Sequence, residues 1–306
     1  MGVYHLSGLG LNAGAITAPL TYVYLMHRAS RNNERAREFF ETSGERGQTD
    51  PGVPEAIILF TSKGVIEGKG NQGIDRWFLS RTTGNIGESI NNYLGKMLNE
   101  YGYNEIRYKY MIEVKHEDFY DCFKKIYLTL NGLKNKEIWI NMTGGTNQIN
   151  SSLLIASGLQ GVSARYYYFF QNQINLMHPD MERETIENSI IETLPKYWFE
   201  LPIIWLDTEK LFDKLKERFN YSNIINKGEL IGILNEIGES NQNSTMLIKL
   251  IGSRIIKSAG NDTFKEGEML KNWCKILKEL KSESKNINNF TEWKTWAKNN
   301  NIIFKF

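Results

Sequence analysis

The stretch that decides the fold is KEIWINMTGGTNQ, residues 136–148. Residues 137–140 include a run of apolar and β-branched side chains entered from a polar turn, a pattern typical of a short buried strand. Residues 148–159 follow with a helical pattern, and a loop with two adjacent glycines separates the helix from the strand. The sequence therefore predicts a strand, a tight loop and a helix in direct succession.

The loop between this strand and helix has the composition of an anion site. Two glycines allow backbone N–H groups to surround an anion, and the start of a helix adds roughly half a positive charge. The hydroxyls of Thr143 and Thr146 and the amides of Asn141 and Asn147 complete a polar cradle that contains no cation. Such a cradle suits a phosphodiester or a ribose better than a free triphosphate. The alternative is a capped strand-to-helix turn that holds no ligand.

A second unit of the same kind begins the chain. Residues 3–6 predict a strand, residues 7–14 form a glycine-rich loop, and residues 15–40 predict a helix. The three glycines of this loop are one residue too far apart for a dinucleotide fingerprint, and no acidic residue ends a following strand at the required distance, so NAD binding is excluded. Ser7 and Asn12 are the polar tips of the loop. Alternatively, the glycines only let the helix pack closely against the sheet.

The remaining pattern up to residue 180 alternates strands with helices. Strands are predicted at residues 55–61, 106–114, 164–170 and 174–177, the last two as a hairpin, and amphipathic helices at 87–101 and 117–130. This alternation predicts an α/β fold with a Rossmann-like, doubly wound, mostly parallel sheet. Ligands bind such sheets at the carboxyl ends of strands where the strand order reverses. Both glycine loops would lie there side by side if the first and fourth strands are neighbours.

Composition gives broad bounds on the class of protein. The chain has 306 residues, enough for two domains, and its 24% of charged residues and net charge of +2 are those of an ordinary soluble protein. Two distant cysteines make no disulfide framework, which favours a cytoplasmic location. No apolar run is long enough to span a membrane.

The last third of the chain predicts a separate helical domain. We expect a ligand-binding domain at residues 1–180, a linker at 181–206 and a smaller all-α, winged-helix-like domain at 207–306. Within the linker, residues 198–205 are strand-like and either return to the sheet or cross to a partner subunit. The predicted helices of the last domain are residues 207–219, 227–237, 244–258, 265–280 and 291–299, with a small terminal strand at 302–306.

Two interpretations of this helical domain stay open. Residues 227–257 have the scale of a helix-turn-helix module, with Lys249, Arg254 and Lys257 near one side, which makes DNA a possible partner. Their many apolar residues leave little free surface for DNA, so a helical dimerisation appendage is equally compatible with the pattern.

Residues 141–147, Asn-Met-Thr-Gly-Gly-Thr-Asn, resemble the Asn-x-Thr-Gly-Gly-Thr-Lys loop of CARF domains, the CRISPR-associated Rossmann folds that sense cyclic oligoadenylates. Six of the seven positions match when the free second position is counted, and Asn147 replaces the usual lysine. CARF domains use a loop after the first strand as the opposite wall of the ligand site. The resemblance therefore implies that both glycine loops hold one cyclic oligoadenylate.

The resemblance also implies the ligand-binding residues and the assembly. A two-fold symmetric ligand, with cyclic tetra-adenylate favoured, implies a homodimer. Leu9, Leu11 and Met142 are candidates for the apolar walls around adenine. The ligand-binding residues implied are Gly8, Leu9, Gly10, Asn12, Asn141, Met142, Thr143, Gly144, Gly145, Thr146 and Asn147.

Some CARF proteins are ring nucleases, and the resemblance implies this activity for the chain. In that reaction a ribose 2′-hydroxyl attacks its own adjacent phosphate without a metal, so no metal or other cofactor is expected. The protein needs to hold the 2′-oxygen in line and stabilise the added charge. Ser7 matches the loop serine of ring nucleases, and Lys63 and Arg81 are the cations expected to neutralise charge.

Other activities of this family are weighed against the sequence of residues 181–306. A C-terminal HEPN ribonuclease needs a histidine, and this region has none. Glu292-Trp293-Lys294 has the letters of a nuclease motif but lies in a helical pattern. Zinc-ligand clusters are absent from the sequence. The alternatives that remain are a non-enzymatic sensor that regulates DNA binding and a ligand-gated nuclease.

Overall fold

The computed structural model describes residues 2–40, 52–68, 86–162, 164–169, 191–192, 196–201, 208–237 and 243–306. The chain divides into two compact units. The first unit comprises Met1–Ile204 together with Ile287–Phe306, and the second comprises Trp205–Asn286.

Strands and helices alternate through most of the chain. The strands in the described residues are β1 Val3–Gly8, β2 Pro54–Thr61, β3 Tyr108–Glu113, β4 Ile138–Asn141, β5 Ala164–Phe169, β6 Trp198–Leu201, β7 Ile225–Asn226, β8 Ile256–Gly260, β9 Thr263–Glu266 and β10 Ile303–Lys305. The helices there are α1 Gly14–Ala29, α2 Glu34–Glu38, α3 Lys63–Ile66, α4 Ile86–Tyr101, α5 Phe119–Gly132, α6 Asn147–Gln160, α7 Thr208–Tyr221, α8 Lys227–Glu236, α9 Asn243–Gly252, α10 Glu268–Ser284 and α11 Phe290–Asn299.

The first unit is built on a mostly parallel, seven-stranded sheet in the order β10-β3-β2-β1-β4-β5-β6. Strands β1 to β5 pair in parallel, and β6 and β10 are antiparallel edge strands. The order 3-2-1-4-5 is that of a doubly wound sheet, and it reverses between β1 and β4. The predicted fold class is confirmed, as is the predicted pairing of the first and fourth strands.

Helices cover both faces of this sheet. Apolar residues of α1 and α4 pack with inward side chains of β2 and β3, whereas α11 packs with Tyr4 and Tyr110 on the opposite face. Every residue of β1 is buried, as expected for a central parallel strand covered on both sides.

The predicted helix at residues 15–40 is two helices in the structure. Helix α1 ends at Ala29, and α2 starts after Asn33, whose side chain accepts a hydrogen bond from the backbone N–H of Ala36. An asparagine in this position competes with helix continuation by capping a new helix. The single-helix prediction was therefore wrong.

The strand-like segment near residue 198 returns to the sheet. Strand β6 pairs antiparallel with β5, with Trp198 opposite Phe169 and Leu201 opposite Tyr166. This pairing resolves the alternative that the linker left open, and it falls within the first unit. The predicted strand at residues 174–177 lies outside the described residues.

The last twenty residues also belong to the first unit, and not to the C-terminal domain predicted at 207–306. Strand β10 pairs antiparallel with β3, and the indole of Trp293 in α11 is fully buried. Its Nε1 donates a hydrogen bond to Thr129 Oγ1 of α5 over 3.0 Å. The domain boundaries in the structure therefore differ from the predicted ones at both ends of the last domain.

The second unit is mainly helical but not all-α. A three-stranded antiparallel sheet in the order β7-β9-β8 accompanies its helices. The predicted helices 244–258 and 265–280 overran these strands, because α9 ends at Gly252 and Arg254 takes a left-handed φ of 58°. The unit consists of one helix, one strand, two helices, a two-stranded hairpin and a last helix. This is the element order of a winged helix, the form predicted for this domain. Every helix in the described parts of the chain is too short or too polar to cross a bilayer.

Candidate functional site

Two loops meet where the strand order of the first unit reverses. We call residues 8–13, from the last residue of β1 to α1, the N-terminal loop, and residues 142–146, between β4 and α6, the TGG loop. Ser7 pairs with Asn141 in the parallel ladder, so the carboxyl ends of β1 and β4 lie side by side. Each loop continues into a helix, and the two helix starts therefore face the same edge of the sheet.

The glycines of these loops are explained by direct packing of one backbone on the other. A Cβ atom on Gly8 would lie 2.7 Å from Gly145 Cα, and one on Gly144 would lie 2.5 Å from the carbonyl oxygen of Gly8. Gly145 also has a φ of 85°, a conformation that favours glycine. Contact between the loops thus requires glycine at these three positions, whether or not a ligand is present.

Asn141 fixes the TGG loop to the first helix. Its Nδ2 donates a 2.8 Å hydrogen bond to the carbonyl oxygen of Ala15, and its Oδ1 accepts one from the backbone N–H of Thr143 over 2.9 Å. The hydroxyl oxygen of Thr143 accepts from the backbone N–H of Phe169 over 2.8 Å. The loop is therefore held by three neighbours: β4, β5 and α1.

Ser7 does not lie on the surface of this site. Its side chain is buried, and its hydroxyl is 2.9 Å from the carbonyl oxygen of Gly8 and 3.2 Å from that of Asn141. Both acceptors are backbone carbonyls of the paired strands. The structure thus places Ser7 behind the loops, where it joins β1 to β4, and not where the predicted 2′-hydroxyl contact requires it.

A cavity of about 370 Å³ opens between the two loops. The residues lining it are Gly10, Leu11, Asn12, Gly14, Ala15, Ala18, Thr143, Gly144, Gly145, Tyr168 and Phe169. Among these described lining residues, none carries an ionised side chain. A helix start carries partial positive charge, and neither α1 nor α6, which follow these loops, has an acidic residue in its first turn.

The rim of the cavity is apolar and partly exposed. Leu11 is 45% exposed and Tyr168 is 39% exposed. Tyr168 lies opposite Phe199 in the β5–β6 ladder, and Phe199 is 61% exposed, so an aromatic pair continues outward from the cavity. Sequence analysis did not select Tyr168, because the aromatic run of β5 is typical of a wholly buried strand. The alternation of side chains along β5, a strand beside the reversal point, is the signal that would have selected this residue.

The predicted binding residues fall into three groups. Those lining the cavity are Gly10, Asn12, Thr143, Gly144 and Gly145. Those buried behind it are Gly8, Leu9 and Asn141. Those on the TGG loop or the start of α6 but away from the cavity wall are Met142, Thr146, which caps the helix by accepting from Ile149 N–H, and the exposed Asn147. Of the predicted adenine walls, only Leu11 lines the cavity.

Of the two predicted cations, the structure describes Lys63, which does not line the cavity. Lys63 follows the carboxyl end of β2, and its exposed Nζ lies 3.7 Å from Glu67 Oε1. Arg81 lies outside the described residues. No group of three or more metal-ligating side chains occurs within the part of the chain that the structure describes.

The buried histidine beneath the site is neutral. Burial lowers the pKa of His5 to about 4, and its Nε2 donates to the carbonyl oxygen of Gly52 over 3.1 Å. The phenol of Tyr167 lies 3.5 Å from His5 Nδ1, and burial raises the pKa of this phenol. Both groups therefore keep their neutral forms at neutral pH and do not act as acid or base toward the cavity.

No family profile matches this sequence. Over 260 residues the chain is 37% identical to an uncharacterized protein of Archaeoglobus fulgidus, a match that covers 79% of this chain and 81% of that protein. A solved structure of Enterococcus italicus Csm6 bound to cyclic hexa-2′-fluoro-hexa-dAMP matches 83% of this chain with a TM-score of 0.40 and 14% identity, and the chain spans 55% of its length. A structural likeness at this level is too weak to carry a function from that protein to this chain. The chain belongs to the same family as the Archaeoglobus fulgidus protein.

Proposed function

We propose that this chain binds a cyclic oligoadenylate, with cyclic tetra-adenylate favoured, in the cavity between the N-terminal loop and the TGG loop. The observation that carries the proposal is the packing of these two glycine loops, backbone on backbone, where the strand order reverses. The motif that resembles CARF domains forms one wall of the cavity, and the loop after the first strand forms the other.

The charge of the cavity matches a phosphodiester. Each of the two helix starts contributes roughly half a positive charge, about one charge together. That balances one phosphodiester group, whereas a triphosphate would leave several negative charges unpaired in a wall without ionised side chains. The hydroxyl of Thr143 on one wall and the side-chain amide of Asn12 on the other supply polar contacts.

The apolar rim suits a base. Leu11 and Tyr168 present exposed apolar surface directly beside the polar wall. Stacking of a base on an aromatic side chain contributes about 1–3 kcal/mol. An adenylate with its phosphate between the loops would place its base toward this rim.

The size of the cavity supports a site shared by two subunits. Small-molecule sites span roughly 300–1,000 Å³, and a cavity of about 370 Å³ is at the lower end of that range. A ring of four nucleotides exceeds it. A homodimer that aligns two such cavities across a two-fold axis would hold the whole ring.

The finer proposal is that the bound ring is cleaved. The 2′-hydroxyl releases its proton to solvent as its oxygen attacks the adjacent phosphorus. The bond from phosphorus to the 5′-oxygen breaks, and the leaving 5′-oxygen takes up a proton from solvent. The products end in a 2′,3′-cyclic phosphate and a 5′-hydroxyl. In this proposal Ser7 holds the two loops in position. Lys63 and Arg81 are the proposed sources of positive charge. Catalysis would rest on positioning and electrostatic stabilisation, which favours slow turnover.

Calorimetric titration of the full chain with cyclic tetra-adenylate tests the binding proposal. We expect saturable binding, and about tenfold or greater weakening in Tyr168→Ala from the loss of base stacking. Tyr221→Ala is the matched control, since Tyr221 is 80% exposed and lies in the second unit. Linear tetra-adenylate should bind more weakly than the ring. Absence of binding, or equal weakening by both substitutions, would contradict the proposal.

Cleavage is tested separately by incubating the ring with the protein in EDTA and separating the products. Linear fragments ending in a cyclic phosphate support the ring nuclease. A ring that is tightly bound and stays intact for hours supports the non-enzymatic sensor instead.

A further inference from the structure

The second unit has the element order of a winged helix, α7-β7-α8-α9-β8-β9-α10. Its sheet order, β7-β9-β8, places the hairpin of β8 and β9 at one edge. We call this hairpin, residues 256–266, the wing. Helix α9 directly precedes the wing, so α9 and the wing form one continuous stretch of the chain.

The cations of this stretch differ from those elsewhere in the unit. Lys216 and Arg218 of α7 pair with Glu266 and Glu229, and Lys281 of α10 pairs with Glu209. A second set of cations, defined next, we call the basic surface. By contrast with the first set, none of its members pairs with a carboxylate of the described residues. This set consists of Lys249, Arg254, Lys257 and Lys265, all exposed. The one carboxylate among residues 246–265, Asp262, lies 3.5 Å from Lys227.

Two features of the basic surface are unfavourable for the isolated protein. Lys257 and Lys265 lie directly opposite each other on adjacent antiparallel strands, where like charges repel. Arg254 has a φ of 58°, a conformation that glycine adopts at lower cost. An anionic partner that approaches the wing would turn the first of these features into a favourable one.

The exposed side of α9 identifies the kind of anion. Ile248 is 71% exposed and Ile251 is 38% exposed, so an apolar strip runs beside Lys249. The major groove of B-form DNA admits a helix and presents thymine methyl groups to apolar side chains. The deep major groove of an RNA duplex does not admit one.

We propose that the second unit binds duplex DNA, with α9 in the major groove and the lysines of the wing on backbone phosphates. This proposal rests on residues other than those of the cyclic oligoadenylate site, so either can fail without the other. The wing lysines contribute affinity that does not depend on sequence, and the α9 isoleucines favour thymine-containing sites.

Fluorescence anisotropy of a labelled duplex about three helical turns long tests the proposal with the full chain. Phosphate contacts by all four cations of the basic surface predict about 150-fold loss of affinity between about 50 and about 200 mM salt. Lys257→Gln combined with Lys265→Gln should reduce that loss to about 12-fold, because two contacts are removed. The matched control is Lys275→Gln with Lys278→Gln on the exposed side of α10, which should keep the salt dependence of the unmodified chain.

Four results would overturn the proposal. The first is no DNA binding at the lower salt concentration, and the second is equal loss in the wing and control variants. The third is equal affinity for an RNA duplex, which would show that binding does not require α9 to enter the major groove. The fourth is a chain that does not bind DNA and whose dimer dissociates on the substitution Ile248→Glu. This result would identify this side of α9 as a subunit interface.

Discussion

His5 shows at the level of one residue how burial fixes the chemistry beneath the site. Its ring lies in β1 between Trp139 and Tyr167, and its Nε2–H is bonded to the carbonyl oxygen of Gly52. Burial favours the uncharged ring and lowers its pKa to about 4. The ring is therefore a neutral part of the core at neutral pH.

This pKa predicts how stability depends on pH. Below about pH 6.5 the unfolded chain binds a proton at this ring, whereas the folded chain stays neutral down to about pH 4. Stability should therefore fall as the pH drops through this window, by about 3 kcal/mol in all. Urea unfolding at several pH values measures the effect. His5→Gln keeps a donor for the carbonyl oxygen of Gly52 and should remove this part of the pH dependence of stability. If the pH dependence is unchanged in this variant, other groups cause it.

Arg254 and Asp262 offer a matched pair for backbone strain in the second unit, with φ values of 58° and 52°. Replacing either by glycine relieves the left-handed conformation and should stabilise the unit by about 0.5–1 kcal/mol. Only Arg254→Gly removes a cation of the basic surface. We therefore expect thermal unfolding to shift upward in both variants, and DNA affinity to fall in Arg254→Gly alone. A similar fall in Asp262→Gly would mean that the turn conformation, and not the charge, determines binding.

At the scale of elements, the packing of the two loops makes a sharp prediction. Gly145→Ala places a Cβ 2.6 Å from Gly8 Cα at a φ of 85°. Overpacking and strain together should destabilise the first unit by about 2–4 kcal/mol. Gly10→Ala is the control, because a Cβ there meets nothing within 4 Å and should change stability by less than about 0.5 kcal/mol. Denaturant unfolding of both variants provides the comparison. Equal stability of the two would show that the loops are not in contact.

Elements that depend on local pattern were predictable, and those that depend on distant partners were not. The strands β1, β2, β4 and β5 and the helices α4 to α6 follow from apolar periodicity, and the adjacency of the glycine loops follows from their place after strands. The burial of Ser7 was not predictable, because it depends on ladder pairing with Asn141, which is far along the chain. Strands β8 and β9 carry the same apolar residues as a helix, so the local pattern did not distinguish them.

At the scale of the whole molecule, the division into units depends on contacts between the two ends of the chain. Strand β10 completes the edge of the first sheet beside β3, and α11 packs beside α5. A boundary read along the sequence could not show this return, because the intervening residues 205–286 fold as a unit of their own. The helix that contains Glu292-Trp293-Lys294 is thus part of the sheet's outer layer. Trp293 is buried in its core-facing side, which is the structural role of this motif.

Trp293→Ala tests this assignment of the last twenty residues. Removing a fully buried indole that donates to Thr129 should destabilise the first unit by about 3–5 kcal/mol. Hydrogen exchange followed by mass spectrometry locates the effect, and we expect faster exchange in β3 and α5 with protection in α7 to α10 unchanged. Trp296→Ala, at a half-buried position three residues further along α11, should have a smaller effect. Faster exchange confined to α7 to α10 would instead place the final helix with the second unit, because a core residue acts first on the unit whose core it fills.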